Sequence, residues 1–223
     1  MKSTRLIIIF LGLIYTPISY SKPAGYETDP SHLSEQKRKL FLEVQSTLDD
    51  WDGEYEKLAS ASIMINSFIH TNPNFLPIYI EKSRLLIMTG TTGQNDFAKL
   101  NRDAIEILKE VTSKAPHYPK PYVLAGHAYT NIKDYENAKK SLERAQNLKS
   151  EDPWLYNNWA QFHAQNKQYE RTIDNAKKAL VLSQDNPKSL ISAIYYIDKY
   201  SKFTNKPSLT PNIQELVFES FKE

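Results

Sequence analysis

A spacing of 34 residues recurs through the second half of the chain, and it constrains the fold more than any other feature. Pro119, Pro153 and Pro187 follow one another at this interval, and Tyr135-Glu136 recurs as Tyr169-Glu170. Further identical pairs at the same offset are Tyr122 and Tyr156, Lys133 and Lys167, Ala145 and Ala179, and Leu148 and Leu182. Many identities at one fixed offset indicate a structural repeat, in which each unit buries its apolar face against the next.

Each unit divides into two amphipathic helices joined by a polar turn. Residues 119–131 carry apolar side chains at helical spacing, and residues 131–134 form the polar turn. The second helix carries a stripe with steps of three and four, formed by Tyr135, Ala138, Leu142, Ala145 and Leu148. The prolines fit the first turn of a helix, where a missing N–H costs little. Asp152 and Asn186 directly precede two of them and are predicted to cap those helices.

The unit from 119 resembles the tetratricopeptide repeat, in which small residues mark the crossing of the two helices. The residues that match its motif are Tyr122, Ala125, Gly126, Tyr129, Tyr135, Ala138, Leu142 and Ala145. Gly126 is therefore predicted to face Ala138 at close range. The next unit departs from the motif, because Trp159, His163 and Thr172 stand where the first has Ala125, Tyr129 and Ala138.

The resemblance implies an all-α fold, a right-handed α-solenoid of four to five stacked helical hairpins. The repeats are expected over 34–200, and the motif is most complete over 119–186. A flexible segment is predicted over 22–33, and a loop with a capping helix over 201–223, since terminal repeats need a covered end. Nine residues beyond the repeat length are assigned to an enlarged loop, Thr89–Asp96.

The amino-terminal residues have the layout of a secretory signal peptide. Lys2 and Arg5 precede an apolar run over 6–18, and small residues lead to a predicted cleavage after Ser21. The alternative is an uncleaved membrane anchor, but the run is short of the roughly 20 apolar residues that a span needs. The absence of Cys and of any Asn-x-Ser/Thr acceptor favours a bacterial periplasm over a eukaryotic secretory route.

Charge gives no support for nucleic-acid binding. The chain has 28 Lys and Arg against 26 Asp and Glu. Cleavage would remove Lys2 and Arg5 and no acid, which leaves a formal net charge of zero. We therefore expect a protein or peptide partner and no nucleic acid.

Catalytic and metal-binding patterns are not found in the sequence, so no catalytic residue, metal ligand or cofactor is predicted. None of the five His residues lies in His-Glu-x-x-His, and no Gly-x-Ser-x-Gly occurs. His163 is interpreted as a packed residue because it replaces a core Tyr. The Asp49, Asp50 and Asp52 group is interpreted as a solvated turn rather than a cation site.

Function is expected on the concave side of the solenoid, which the first helices of the hairpins line. The predicted partner-binding residues are Arg84, Lys120, His127, Asn131, Trp154, Asn157, Asn158, Gln161, Gln165, Lys188 and Tyr195. Amides can pair with the backbone of an extended peptide, and an aromatic ring can anchor one of its side chains. The resemblance to the tetratricopeptide-repeat family, together with the predicted export, implies an adaptor in an envelope assembly. Two alternatives stay open, a carboxylate clamp of Lys120, Asn157 and Lys188, and a glycan-binding subunit that uses Trp154 and Tyr195.

Overall fold

The computed structural model describes residues 26–205, except Gln94 and Gln184. Within these residues the chain forms nine α-helices and one short 3₁₀ helix, Pro30–His32, so the predicted all-α class is confirmed. The helices are α1 (Glu35–Asp49), α2 (Tyr55–Thr71), α3 (Pro77–Thr91), α4 (Phe97–Lys114), α5 (Lys120–Asn131), α6 (Tyr135–Asn147), α7 (Pro153–Gln165), α8 (Tyr169–Leu182) and α9 (Pro187–Ser201).

The predicted caps form as hydrogen bonds at the starts of α7 and α9. The Asp152 carboxylate accepts from the backbone N–H of Trp154 at 2.9 Å. The Asn186 side chain accepts from the N–H of Ser189 at 2.9 Å. Each cap satisfies a donor that the first helical turn leaves without an intrahelical partner, so these two residues define where the helices begin.

Small residues bring α5 and α6 into close contact at the predicted point. A β-carbon placed on Gly126 would lie 3.5 Å from the carbonyl oxygen of Ala138. Ala138 is itself fully buried, as are Leu142 and Ala145 on the same stripe. The hairpin therefore closes at the small-residue crossing that the repeat motif predicts.

Hairpins then stack into a solenoid of four helix pairs followed by α9. Within each hairpin the two helices pack together, and the odd-numbered helices contact one another in chain order from α1 to α9. They form one continuous wall of the stack. The even-numbered helices lie outside this wall, and the buried side chains fill the space between the two layers.

The insertion in the second hairpin lengthens its helices more than its loop. The sequence predicted an enlarged loop over Thr89–Asp96, but α3 continues to Thr91 and α4 begins at Phe97. Gly90 permits this extension, because a β-carbon there would lie 3.2 Å from the Phe97 ring. The Asp96 side chain accepts from the N–H of Lys99 at 2.9 Å and caps α4.

The segment before α1 contacts the second hairpin from Tyr26 onward, whereas the sequence predicted a flexible segment over 22–33. The N–H of Glu27 donates to the Asn74 oxygen, and the N–H of Leu76 donates to the Glu27 oxygen, each at 2.8 Å. Lys114 also lies 4.6 Å from the centre of the Tyr26 ring. The predicted signal peptide and capping helix lie outside the described residues.

Candidate functional site

A cavity of about 510 Å³ lies along the wall of odd-numbered helices, and we call it the inner groove. Its lining comes from α1, α3, α5, α7 and α9 or the residues at their ends, so the first helix of every hairpin contributes. The lining residues are Gln45, Leu48, Asp49, Trp51, Ile80, Arg84, Ile87, Met88, Lys120, Val123, Leu124, His127, Asp152, Trp154, Asn158, Asn186 and Lys188. The inner groove is thus lined by the first helices of the hairpins, which are the helices on which the sequence analysis expects the binding surface.

The two ends of the stack meet across the inner groove. The Nζ of Lys188, in the first turn of α9, donates to the backbone oxygen of Trp51 at 2.9 Å. These residues are 137 positions apart in the chain. The superhelix therefore curls far enough for the turn after α1 to touch α9, and the groove is bounded on this side.

The buried carboxylate of Glu81 pairs with two cations, Arg84 and Lys120, that line the inner groove. Glu81 is fully buried, and its carboxylate lies 2.7 Å from Arg84 Nη1 and 3.5 Å from Lys120 Nζ. The Gln45 amide also donates to it at 2.9 Å. Arg84 in turn lies 2.5 Å from Asp49. This network joins α1, α3 and α5 through one charged centre.

The ionised form of Glu81 is the stable one despite its burial. Burial alone would raise the pKa of this carboxyl, but Arg84 and Lys120 together with the Gln45 hydrogen bond hold the pKa below its usual value. Glu81 and Asp49 offset the charge of Arg84. Lys120 and Lys188 are therefore the cations of the groove whose charge is least compensated.

A second polar network lies farther along the stack and joins α4, α5 and α7. His127 Nδ1 donates to Gln161 Oε1 at 2.8 Å, and the Gln161 amide donates to Asn131 Oδ1 at 2.9 Å. The Asn131 amide donates to Asn101 Oδ1 at 2.9 Å. Burial lowers the pKa of His127, and the bond to Gln161 offsets this only in part. His127, Asn131 and Gln161 were predicted to bind a partner, and in the structure they form hydrogen bonds with one another.

Two of the predicted groove residues are buried between hairpins rather than exposed. Asn157 is 2% exposed, and its amide donates to the backbone oxygen and the hydroxyl of Ser189. Asn158 is 5% exposed and donates to the Val123 oxygen at 2.9 Å, so only its edge reaches the groove. Both were predicted to bind a partner, but their amides instead connect α7 to the neighbouring helices.

Gln165 and Tyr195 do not line the inner groove. Gln165 accepts from the Tyr135 hydroxyl at 3.1 Å and contacts the neighbouring hairpin. Tyr195 is half exposed on α9, where Lys199 lies 4.8 Å from the centre of its ring. Of the predicted set, the structure brings together Arg84, Lys120, His127, Trp154, Asn158 and Lys188.

Sequence reasoning missed the contribution of the first hairpin. Trp51, Asp49 and Gln45 enter the groove because the superhelix closes, and that curvature accumulates over the whole stack. One local signal was present, since Trp51 lies two residues after the end of α1 and is a large aromatic residue in an otherwise acidic turn.

The described residues show no metal centre. No group of three or more His, Asp or Glu among them is arranged to hold a metal ion. Asp49 pairs with Arg84, and Asp52 pairs with Lys57 at 2.6 Å, so cations of the chain itself occupy this acidic turn. None of the helices in this part of the chain has the length and hydropathy needed to cross a membrane.

Fold and groove together define a class of protein, an all-α solenoid of helical hairpins whose first helices surround a cavity. A family model described as tetratricopeptide repeat matches residues 119–152, where the sequence motif is most complete. Residues 119–152 are thus similar to the tetratricopeptide repeat, and a solenoid built from such hairpins is typically a scaffold for protein–protein interaction.

The chain is also similar to solved structures at low sequence identity, and one of them shows the same fold. A thermophilic tetratricopeptide-repeat protein from Thermus thermophilus is 15% identical, with a TM-score of 0.60 over 73% of this chain and 81% of that chain. The Cut9–Hcn1 hetero-tetramer of the APC/C aligns at 15% identity and a TM-score of 0.37, over 84% of this chain and 46% of that chain. No curated protein sequence matches the chain.

Proposed function

We propose that this protein is an exported adaptor that binds an extended segment of a partner protein in the inner groove. The observation that carries the proposal is the composition of that groove. Trp51 and Trp154 line the same cavity as Lys120 and Lys188, on a wall built by five successive first helices. Aromatic residues are common energetic anchors of protein interfaces. A volume of about 510 Å³ falls in the range of ligand pockets.

The charges of the groove indicate how a segment would be oriented. Glu81 and Asp49 already engage Arg84, so its guanidinium has few donors left for a ligand. Lys188 contacts only a backbone oxygen among the described residues, and Lys120 has one long contact with Glu81. Acceptor groups of the partner would therefore lie near Lys120 and Lys188, and an apolar side chain near Trp154.

Photocrosslinking tests the proposed groove directly. A photoreactive amino acid at position 154 should crosslink to a partner protein in intact cells, and mass spectrometry of the adduct identifies the segment bound. The matched control has the same group at position 195, because Tyr195 is exposed but lies outside the groove. A synthetic peptide of the identified segment should compete for the adduct. Equal crosslinking from both positions, or no competition, would contradict the proposal.

The compartment belongs to the proposal as well. The signal-like residues 1–21 and the absence of Cys support export to a bacterial periplasm, and an envelope assembly such as a pilus, secretion or polysaccharide-export machine is the expected setting. Mass spectrometry of the protein from a periplasmic extract should find an amino terminus at Lys22. Recovery of the intact chain from the cytoplasm would exclude this compartment.

A glycan ligand is the second candidate, because two tryptophans in one cavity can also stack on sugar rings. Tyr195 lies away from the groove, so the platform would consist of Trp51 and Trp154 rather than Trp154 and Tyr195. Sedimentation with purified peptidoglycan separates the two candidates. Retention that Trp154→Ala abolishes, without any protein adduct in the crosslinking experiment, would favour the glycan.

A further inference from the structure

A pocket on the outer side of the solenoid is independent of the inner groove. It has a volume of about 520 Å³ and lies between α6 and α8, with α7 as its floor. We call it the outer pocket. The residues that define its chemistry are Lys139 and Glu143 from α6, Trp159 and His163 from α7, and Arg171 and Lys178 from α8.

The floor of the outer pocket contains a buried donor that lacks an acceptor. Trp159 is 8% exposed, and its indole Nε1 has no hydrogen-bond partner among the described residues. The ring stacks on His163 with centroids 5.4 Å apart. Native proteins satisfy nearly all buried donors, so an unpaired N–H at a pocket points to a ligand that supplies the acceptor.

The rim of the outer pocket carries mainly positive charge. Lys139, Arg171 and Lys178 are exposed, and the acid in the lining is Glu143, which lies 3.7 Å from Lys139. Lys178 also lies 5.6 Å from the centre of the Tyr156 ring, which holds its ammonium beside the pocket. Arg171 has a planar guanidinium, which matches the geometry of a carboxylate.

Most of these residue types are not shared with the preceding repeat. The positions 34 residues earlier hold small, neutral or apolar side chains, namely Ala125 for Trp159, Asn137 for Arg171 and Ile105 for Lys139. Ala125 and Ile105 are both buried. Lys178 is the exception, because Arg144 holds the same place and lies over Tyr122 in the same way. The indole donor and the guanidinium are therefore specific to the unit 153–186, and Lys139 of the preceding unit completes the rim of the pocket.

We propose that the outer pocket binds an acidic segment of a partner protein. A Glu or Asp carboxylate of that segment accepts from Trp159 Nε1 and pairs with Arg171, while Lys178 and Lys139 flank it. The size of the pocket suits a few side chains, whereas a nucleic acid would need cations along an extended track of phosphates. Because this site lies outside the inner groove, one partner held at both faces would bind more tightly than at either alone.

The indole resonance of Trp159 provides the test, because it reports the proposed hydrogen bond itself. The ¹⁵N-labelled protein is titrated with a capped peptide of alternating Ala and Glu, and its Gln counterpart serves as the neutral probe. Trp159→Phe assigns the resonance. We expect a saturable downfield shift of the Trp159 N–H with the Glu peptide alone. Arg171→Ala should weaken binding at least tenfold, and the matched Arg144→Ala should leave it unchanged.

Several results would overturn the proposal. These are no saturable shift up to millimolar peptide, an equal shift with the Gln peptide, and an equal loss of binding in Arg144→Ala. Tighter binding of an oligogalacturonate or an oligonucleotide than of the Glu peptide would also overturn it, in favour of another ligand class. Trp154→Ala separates the two sites, since it impairs the inner groove and should not change the Trp159 titration.

Discussion

Gly126 packs against Leu142 so closely that a β-carbon on Gly126 would lie 2.4 Å from Leu142 Cδ2. Leu142 is fully buried in the centre of α6 and cannot move away without disturbing the core around it. The two helices of this hairpin can therefore lie this close together only because Gly126 has no side chain. The close approach also explains why the repeat motif requires a small residue at this point.

Gly126→Ala should destabilise the protein even though Ala favours a helix. Overpacking costs about 1–3 kcal/mol, and the gain in helix propensity returns at most about 1 kcal/mol. We expect the free energy of unfolding to fall by about 1–2 kcal/mol in urea denaturation. Leu142→Ala alone should cost about 2–5 kcal/mol. In the double variant the two losses should be less than additive, and strict additivity would show that the side chains do not clash.

Glu81→Gln should be among the most destabilising conservative changes in the chain. It removes the buried charge that compensates Arg84 and Lys120, and breaking one side of a buried pair costs about 3–5 kcal/mol. The matched control is Glu136→Gln, which affects an exposed pair with Lys140 and should change stability little. Chemical denaturation at pH 7 compares the two. Similar losses would mean that Glu81 contributes no more than a surface ion pair.

The lowered pKa of Glu81 predicts that the protein becomes less stable in acid. The folded pKa of Glu81 lies below its unfolded value, so the folded chain binds fewer protons than the unfolded chain does. Its contribution is therefore present above about pH 4.3, the usual pKa of Glu. It is lost as the pH falls through the lower folded pKa. Denaturation curves below pH 5 should lose stability less steeply in Glu81→Gln than in the unsubstituted protein.

Local patterns in the sequence were sufficient to predict the helices and their stacking. These patterns involve residues that are close together in the chain, so they can be recognised from the sequence alone. Examples are the cap at Asp152, the helix crossing at Gly126 and the 34-residue offset. The groove was predicted less well, because which amides stay exposed depends on contacts between hairpins. Asn157 and Trp51 show the two failures. Asn157 is buried against Ser189, which lies 32 residues away in the chain. Trp51 reaches the inner groove only because the whole stack curls.

His127 should make the protein less stable as the pH falls below 7. Burial lowers its pKa, and protonation would place a second ring N–H against the amide of Asn131, which already donates to Nε2 at 3.3 Å. The unfolded histidine takes up a proton near pH 6.5, before the folded one does, so acid favours unfolding. NMR should give a titration midpoint below 6.5 for His127. His127→Gln should flatten the dependence of stability on pH between 7 and 5, whereas His70→Gln, on the surface of α2, should not.

Lys188 should control the width of the inner groove more than the stability of the fold. Its bond to the Trp51 oxygen is exposed, so Lys188→Met should lower the free energy of unfolding by no more than about 1 kcal/mol. The chain has no Cys, so two cysteines introduced at the exposed positions Glu54 and Ile191 can carry spin labels without background. Double electron–electron resonance should show a longer and broader distance distribution in Lys188→Met.

The control for Lys188 is a lysine on the same helix that makes no contact across the groove. Lys199 donates to the hydroxyl of Tyr195, one turn away on α9, so Lys199→Met removes a comparable charge without touching the first hairpin. It should leave the distance distribution unchanged. An unchanged distribution in Lys188→Met as well would show that the curvature of the stack, rather than this contact, closes the groove.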